Sequence, residues 1–415
     1  MKILLVQPDF PRAPKSEYFK LFLPIGLLKL ASYYRNRGHQ IKLVEGNKIP
    51  QNFYPDKIMI TSLFTYWAEH VKKCVEFYKA NFPKAQIIVG GIYASLLPRH
   101  CKEFTGCDRI FIGIHKSAER CKPAYDLLFN PNPPYQIIHT SRGCIRKCPF
   151  CGVWKIENRL TFKKSIKKEI CSNKLIFFDN NLLANPFIKD ILNEIANSKW
   201  NRKPIKCEAI CGIDYRILLK NPELAILLKK ARFEKLRIAW DWHYKEWREI
   251  EKALKLLTTA GYRSKDIFVF MIYNWEIPFK EMEKKRIKCW KWKVQIADCR
   301  YRPLNQTYDD YDSVKQQTTK DYYIHPKWTD AEVKQFRKNV RRQNICIRYN
   351  LLYYSKSLEK RLLPPNEILK LKKLPPKDAK KKLRNVWDPS HLSYPLLRLS
   401  INKNQESKIY QCLLI

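Results

Sequence analysis

Three cysteines stand close together in the stretch "TSRGCIRKCPFCG", residues 140–152. Cys144, Cys148 and Cys151 follow a C-x3-C-x2-C spacing. Thiolates select soft metals, and four of them close a zinc or iron–sulfur site. Three thiolates leave one coordination position open, so a [4Fe–4S] cluster held here would keep one iron for a small molecule. A zinc site completed by a distant Cys or His, and three thiols without a metal, are the alternatives.

The cysteine stretch directly follows a strand pattern, "YQIIHTS", and opens a run of alternating strand and helix patterns that ends near Pro303. In this run "KKSIKKEICS" is predicted to be a helix and "KLIFFDNN" the next strand. About six such units predict a full or partial β/α barrel, in which chemistry takes place at the carboxyl ends of the strands. The cysteines would then lie at the mouth of the barrel.

An earlier alternation of apolar strands and amphipathic helices fills residues 1–128. Near-continuous apolar strands predict a parallel, doubly wound, Rossmann-like sheet. Ligands of such sheets bind beyond the carboxyl ends of the strands. The corresponding loops are Gln7–Arg12, Glu45–Asn47, Ser62–Tyr66, Gly90–Tyr93 and Gly113–Ser117.

The fold class predicted from these patterns is α/β with three parts. They are a Rossmann-like domain over residues 1–128, a β/α barrel over residues 136–308 and a basic C-terminal extension over residues 309–415. The stretch "FNPNPPYQ" (129–136) has the composition of a linker. The extension contains the helix pattern "TDAEVKQFRKNVRRQN", with a capping box from Thr329 to Glu332, and is irregular beyond it.

The charge of the chain is strongly positive: 80 Lys and Arg residues against 39 Asp and Glu residues give +41. Such a surface attracts RNA, DNA or acidic lipid, although a merely solvated basic surface is the equally weighted alternative. The run "KLKKLPPKDAKKKLR" (370–384) contributes to this charge. Because no apolar run approaches about 20 residues, no membrane span is predicted. The N-terminus is predicted to be a strand and not a signal peptide, and the scattered cysteines favour the cytoplasm.

The stretch "TSRGCIRKCPFCG" resembles the signature of radical S-adenosylmethionine (SAM) enzymes, in particular the subgroup with an N-terminal cobalamin-binding-type domain. The resemblance extends over residues 1–305. It includes "LPIGLLKLASYYRNRGHQIKLVEGN", "IIVGGIYAS", "KKSIKKEI" and "YRPL".

The resemblance implies that Cys144, Cys148 and Cys151 bind three irons of a [4Fe–4S] cluster and that SAM chelates the fourth. An electron from a ferredoxin- or flavodoxin-type donor would cleave SAM to a 5′-deoxyadenosyl radical, which abstracts hydrogen from the substrate. Phe150 matches an aromatic position whose surroundings pack the adenine.

Further SAM contacts are expected at the ends of later strands. The family often has a Gly-Gly-Glu element after the second barrel strand, and this chain has "FFDNN" there, which makes Asp179 and Asn180 the candidates for the SAM ammonium. Glu208 and Asp214 could reach the ribose, and Asp241 ends another strand. Each of them could instead be a helix cap or part of a solvated turn.

Two more features bear on the cofactors. Cys207 and Cys211 form a second C-x3-C, for which core packing is the favoured interpretation. The Asp-x-His-x-x-Gly motif that supplies a lower ligand to cobalamin is absent, and His115 stands where relatives tend to carry an acidic stretch. Cobalamin bound without a protein ligand stays open, and methyl transfer to carbon is expected if it is bound.

Three hypotheses follow. The first is a radical SAM enzyme, such as a C-methyltransferase, acting on a small molecule, a lipid precursor or a peptide. The second is a radical SAM enzyme that modifies RNA, as the charge suggests. The third is a basic nucleic-acid-binding protein with a structural iron–sulfur or zinc site. The sequence leaves the substrate and the oligomeric state undetermined.

Overall fold

A computed structural model of the chain describes residues 1–11, 23–128, 130–131 and 133–349. The basic run 370–384 and Arg12 of the first predicted ligand loop lie outside these residues. The chain divides into two compact units. Of the described residues, the first unit comprises those within Met1–Arg237 and Tyr301–His325, and the second comprises those within Ile238–Arg300 and 326–349. The three-part division at 128, 136 and 308 stays a prediction.

The first unit begins with a five-stranded sheet in the order β2-β1-β3-β4-β5, and every neighbouring pair in it is parallel. The strands are β1 (Lys2–Gln7), β2 (Gln40–Glu45), β3 (Lys57–Ser62), β4 (Gln86–Gly91) and β5 (Arg109–Ile110). The helices are α1 (Ile25–Arg35), α2 (Ala68–Asn81), α3 (Ile92–Leu96), α4 (Pro98–Thr105) and α5 (Lys116–Glu119).

Helices cover both faces of this sheet because successive strand residues point to opposite sides. The row Val6, Ile60 and Val89 is buried in one core together with side chains of α2 and α4. The neighbouring row, which includes Leu5 and Met59, is buried in a second core with side chains of α1. The prediction of an α/β fold with parallel strands is thereby confirmed.

The carboxyl ends of β3 and β4 approach each other closely. The backbone at Gly91 has φ 102°, and a Cβ on this residue would lie 2.1 Å from the carbonyl oxygen of Ser62. The Ser62 hydroxyl donates to the carbonyl of Gly90 (2.8 Å) and accepts from the amide of Ala94 (3.1 Å). These bonds join the two strand ends and fix the turn into α3.

The rest of the first unit carries a three-stranded sheet in the order β12-β9-β6, with both pairs parallel, and two short antiparallel pairs, β7–β8 and β10–β11. The strands are β6 (Gln136–Ile138), β7 (Ser141–Arg142), β8 (Thr161–Phe162), β9 (Lys174–Phe177), β10 (Lys199–Trp200), β11 (Lys203–Pro204) and β12 (Lys206–Ala209). The helices are α6 (Val153–Ile156), α7 (Ile188–Asn197), α8 (Tyr215–Lys220) and α9 (Glu223–Lys230).

The predicted helix "KKSIKKEICS" is wrong, because the structure has only a single 3₁₀ turn there, Lys167–Glu169. Lys163 and Lys167 would be like charges one helical turn apart, which disfavours the helix. Instead, Lys163 Nζ binds the Glu169 carboxylate (2.7 Å), and the side-chain amide of Gln136 donates to the Glu169 carbonyl (2.7 Å). One local ion pair and one bond from a distant residue thus take the place of the helical bonds.

The second unit contains a three-stranded sheet in the order β13-β14-β15. Its elements are β13 (Arg237–Ala239, which begins at the last residue of the first unit), β14 (Phe268–Tyr273), β15 (Gln295–Arg300), α10 (Trp247–Thr259), α11 (Phe279–Trp292) and α12 (Asp330–Tyr349). The six strands expected from the alternation are therefore present, as two three-stranded sheets.

Helix α12 starts with the predicted capping box and covers the edge of β15. The Thr329 amide donates to the Glu332 carboxylate (2.9 Å), and the Glu332 amide donates to the Thr329 hydroxyl (3.2 Å). Further along, the Asn344 side chain accepts from the Ile296 amide (2.8 Å) and donates to the Ile296 carbonyl (2.7 Å). Asn344 thus bonds to an edge strand as a neighbouring strand would.

Among the described residues, no helix has both the length and the apolar character needed to cross a membrane.

The contact at Gly91 gives a test of the first sheet. We expect Gly91→Ala to lower the free energy of unfolding by about 3 kcal/mol or more, because the new Cβ collides with Ser62 and the positive φ disfavours it. Urea unfolding followed by circular dichroism measures the change. Gly26→Ala is the control, since no atom lies within 4 Å of its Cβ position in α1 and alanine favours the helix. Equal stability of the two variants would contradict the described approach of β3 and β4.

Candidate functional site

The cysteine loop, residues 143–152, starts from a buried carboxylate. Asp179 lies two residues after the end of β9, and only 2% of its surface is exposed. One oxygen, Oδ1, accepts from the amide and hydroxyl of Thr140 (2.9 and 2.6 Å) and from the amide and hydroxyl of Ser141 (2.7 and 2.8 Å). Burial raises the pKa of Asp179, and these four donors oppose the rise. Asp179 therefore fixes the chain where it leaves β6 and enters the loop.

The next residue, Arg142, lies between two carboxylates. Its guanidinium donates to both oxygens of Glu119 (3.0 and 2.9 Å) and to Glu157 (3.3 Å). Lys29 of α1 binds the same Glu119 carboxylate (2.7 Å). Burial alone would raise the pKa of Glu119, but Arg142 and Lys29 together bring it below its ordinary value. The entrance of the loop is thus bonded to α5 and, through it, to α1.

Gly143 is required by the conformation of the loop. Its φ is 79°, and a Cβ there would lie 2.7 Å from the carbonyl oxygen of Arg159. Its amide donates to Glu157 Oε2 (2.7 Å), and the side-chain amide of Asn180 donates to the same oxygen (2.9 Å). Glu157 thus holds the backbone immediately before Cys144, and Asn180 helps to hold Glu157.

The three cysteines lie at intermediate exposure in a tight turn. The amide of Arg146 donates to Cys144 Sγ (3.3 Å), and the amide of Cys151 donates to the carbonyl of Cys148 (3.0 Å). The predicted adenine neighbour, Phe150, is half-buried in the same turn. In the described residues, no three His, Cys, Asp or Glu side chains already converge as metal ligands.

The far end of the loop packs on the five-stranded sheet. A Cβ on Gly152 would lie 3.1 Å from Leu96 in α3 and 3.5 Å from Leu304, and α6 packs against α3. Helix α3 directly follows β4. The carboxyl edge of the five-stranded sheet therefore contacts the cysteine loop.

The two acids proposed for the ribose have different surroundings. Asp214 accepts from Arg146 Nε (2.8 Å), a residue of the cysteine loop, and caps α8 through the amide of Arg216 (3.1 Å). Glu208 is buried in β12 and forms an ion pair with Arg237. The structure thus joins Asp214 directly to the cysteine loop and pairs Glu208 with a cation of its own.

Asp241 belongs to the second unit, where a buried lysine holds the chain on either side of it. Lys285 Nζ donates to the carbonyls of Trp240 (2.6 Å) and Trp242 (2.7 Å). Burial lowers the pKa of Lys285 to about 8, and the charge of Asp241 opposes this shift. Lys285 therefore fixes the conformation of the strand end that carries Asp241.

The second C-x3-C pair divides between core and surface. Cys207 is buried in β12, as expected, whereas the Cys211 side chain is accessible to solvent. Protein atoms nevertheless surround Cys211 on most sides, and this burial, together with the negative charges of Asp179 and Cys151, raises its pKa to about 12. Core packing is therefore wrong for Cys211, which sequence reasoning missed as a candidate site residue.

His115 in the five-stranded domain has a structural function. Its Nδ1 accepts from the amide of Ala118 (3.1 Å) and so caps α5. Its ring lies between those of Tyr33 and Phe111, at centroid distances of 4.6 and 5.6 Å. These contacts hold the helix whose Glu119 binds Arg142.

The fold and the site define an α/β protein whose parallel strands end at a cysteine-bearing loop. No protein-family model matches the chain, and none of the curated proteins matches it either.

The anchoring role of Asp179 can be tested by Asp179→Asn. We expect a loss of about 2 kcal/mol in the free energy of unfolding, because asparagine lacks the negative charge that faces the four donors of Thr140 and Ser141 and places an NH2 group where Oδ2 accepts from the Thr140 amide. We also expect faster alkylation of the loop cysteines by iodoacetamide, measured by peptide mass spectrometry. Asp190→Asn, an exposed change in α7, should alter stability by less than about 0.5 kcal/mol. Unchanged stability and alkylation in Asp179→Asn would show that the loop does not depend on this carboxylate.

Proposed function

We propose that the chain is a radical SAM enzyme that holds a [4Fe–4S] cluster at Cys144, Cys148 and Cys151. The observation that supports the proposal best is the fixed position of the three-cysteine loop at the carboxyl end of a parallel strand. The donor set fits the group, because thiolates are the usual ligands of iron–sulfur clusters and a backbone amide already donates to Cys144 Sγ. When bound, the cluster would supply the electron that cleaves SAM.

The chain's own residues prepare this site. Asp179 and Glu157 fix the backbone before the first cysteine. Arg146 binds Asp214 and so joins the loop to the end of β12, where a nucleoside of SAM would find polar partners. On its other side, the loop packs at Gly152 against Leu96 of α3.

We propose further that the five-stranded domain is Rossmann-like, of the cobalamin-binding type, and that the six later strands form a partial β/α barrel. The strand order 2-1-3-4-5 supports the first part, because it is a common order of doubly wound sheets. No Asp-x-His-x-x-Gly histidine is present in the sequence, and His115 caps a helix. Cobalamin would therefore bind without a protein ligand, and methyl transfer to a small molecule or peptide would follow.

Anaerobic reconstitution with iron and sulfide tests the proposed cluster. We expect about four irons per chain in the wild type and reductive cleavage of SAM to 5′-deoxyadenosine, detected by chromatography. Cys144→Ala should lose iron and reduce SAM cleavage about 100-fold or more, since one ligand of the open-site cluster is removed. Cys171→Ala, which changes an exposed thiol at the other end of β9, is the control. Wild-type protein that binds no iron, or Cys144→Ala that cleaves SAM normally, would refute the proposal.

RNA is the second candidate substrate, and a stack of planar side chains supports it beside the net charge of +41. The Arg302 guanidinium lies 4.5 Å from the centroid of the Tyr66 ring, and the Phe64 ring is parallel to Tyr66 at 5.0 Å. Phe64 is 37% exposed, in the loop after β3. Aromatic rings and arginine at the end of a strand suit the stacking of unpaired bases.

Fluorescence anisotropy with a single-stranded RNA tests this substrate class. We expect affinity to fall steeply between about 50 and 200 mM salt, and Phe64→Ala to weaken binding about tenfold through the lost stacking. Tyr54→Ala, which removes an exposed aromatic ring outside the stack, should bind like the wild type. The absence of binding at low salt would remove RNA as a substrate. RNA binding by a chain that does not cleave SAM would favour a binding protein over an enzyme.

A further inference from the structure

Cys211 is a thiol at the carboxyl end of β12, in the same region as the cysteine loop. The amide of Ile210 donates to the carbonyl of Phe177 (3.2 Å), so the parallel ladder between β12 and β9 continues up to the residue before Cys211. On the neighbouring strand, Asp179 lies two residues beyond Phe177. Cys211 is therefore placed beside the strand end that anchors the cysteine loop.

A direct bond ties the segment after Cys211 to the cysteine loop. Arg146 lies between Cys144 and Cys148 in the sequence, and its Nε donates to Asp214 Oδ2 (2.8 Å), three residues beyond Cys211. The side chain of Asn181, which follows the Asp179 segment, donates to the same oxygen (3.4 Å). Three chain segments thus meet here: the cysteine loop, the end of β9 and the end of β12.

The exposure of Cys211 distinguishes it from the cysteines that are buried in the protein core. Cys207, which lies in β12 four residues before Cys211, is 2% exposed. Cys74, Cys101 and Cys289 are fully buried. Cys211 is accessible instead, and Cys151 and Asp179 act on it electrostatically. The accessible thiol of Cys211 therefore lies close enough to Cys151 of the cysteine loop for the two to interact electrostatically.

We propose that Cys211 is a fourth sulfur ligand for the metal held by Cys144, Cys148 and Cys151, and that it occupies the open coordination position when SAM is not bound. The inference rests on the three-cysteine metal site of the proposed function. Four cysteines complete a [4Fe–4S] cluster, with one thiolate on each iron, and four thiolates also complete the tetrahedral site of a single metal ion.

The exchange at this position is a ligand substitution without any change of oxidation state. On binding, the Cys211 thiol would lose a proton to solvent, and its sulfur would form one bond to the metal. If SAM displaced it, the metal–sulfur bond would break, and the released thiolate would take up the proton that the SAM ammonium loses when its nitrogen binds. Because the three other thiols are not yet converged, metal binding would rotate these side chains toward one point.

Cobalt(II) added alone to the metal-free, reduced protein under anaerobic conditions tests the ligand count. The intensity of sulfur-to-cobalt charge-transfer absorption reports the number of bound thiolates. We expect a four-thiolate spectrum for the wild type and an intensity lower by about a quarter for Cys211→Ser, with weaker cobalt binding, because one of four ligands is lost. Cys171→Ser should match the wild type, since this exposed thiol lies before the amino end of β9.

Two further measurements keep the outcomes separate. Circular dichroism and urea unfolding of Cys211→Ser check its folding, and alkylation mass spectrometry identifies which thiols cobalt protects in the wild type. Protection of Cys211 together with the other three supports the inference. An identical cobalt spectrum in wild type and Cys211→Ser, or alkylation of Cys211 in the cobalt complex, overturns it.

The proposed function is tested independently by SAM cleavage after reconstitution with iron and sulfide. Four protected thiols without SAM cleavage support the role of Cys211 and overturn the enzyme, which leaves a structural four-cysteine site. SAM cleavage with an unchanged cobalt spectrum in Cys211→Ser overturns only the role of Cys211.

Discussion

The buried carboxylate of Asp179 is the interaction on which the candidate site depends. Taking a charged carboxylate out of water costs several kcal/mol unless hydrogen bonds replace the lost hydration. Asp179 receives them from both backbone and hydroxyl groups of Thr140 and Ser141. These donors can meet one carboxylate only because β6 and β9 are adjacent and parallel, with Ile138 opposite Phe177. The register of the sheet therefore determines where the cysteine loop begins.

A second charged network orients the loop once it has begun. Arg142 is shared between Glu119 and Glu157, and Lys29 neutralises the charge that remains on Glu119. Removing one member of this partly buried network leaves another charge uncompensated, so the members act as a set. Because Lys29 and Glu119 belong to α1 and α5 beside the five-stranded sheet, the packing of these helices and the position of the loop are coupled.

The sequence alone was sufficient to predict the structural features that depend on neighbouring residues. The apolar strands predicted a parallel α/β sheet, and Thr329 and Glu332 predicted the start of α12, because strand burial and helix capping depend on neighbouring residues. The segment after Lys163 was predicted wrongly, since the bond from Gln136 to the Glu169 carbonyl and the ion pair between Lys163 and Glu169 override the helical pattern. The bond from Gln136 comes from 33 residues away.

The candidate site shows the same division between local and distant causes. The sequence alone shows the spacing of the three cysteines and predicts their position after a strand. The partners of the preceding residues could not be predicted: Thr140 and Ser141 bind an acid 39 and 38 residues away, and Arg142 binds Glu119, which lies 23 residues before it. Only the fold shows that Cys211 is accessible, because the exposure of a residue that follows a strand depends on which elements cover it.

The predicted contacts to the SAM ammonium have a consequence for the loop itself. Asp179 uses Oδ1 for four donors, whereas Oδ2 accepts from the Thr140 amide alone, at 3.1 Å. Asn180 donates through its nitrogen to Glu157, which leaves the amide oxygen as an acceptor. An ammonium bound at these oxygens would oppose the burial that raises the pKa of Asp179. Ligand binding would then stabilise the same ionised carboxylate that holds Thr140 and Ser141, so that binding of SAM and ordering of the cysteine loop would reinforce each other.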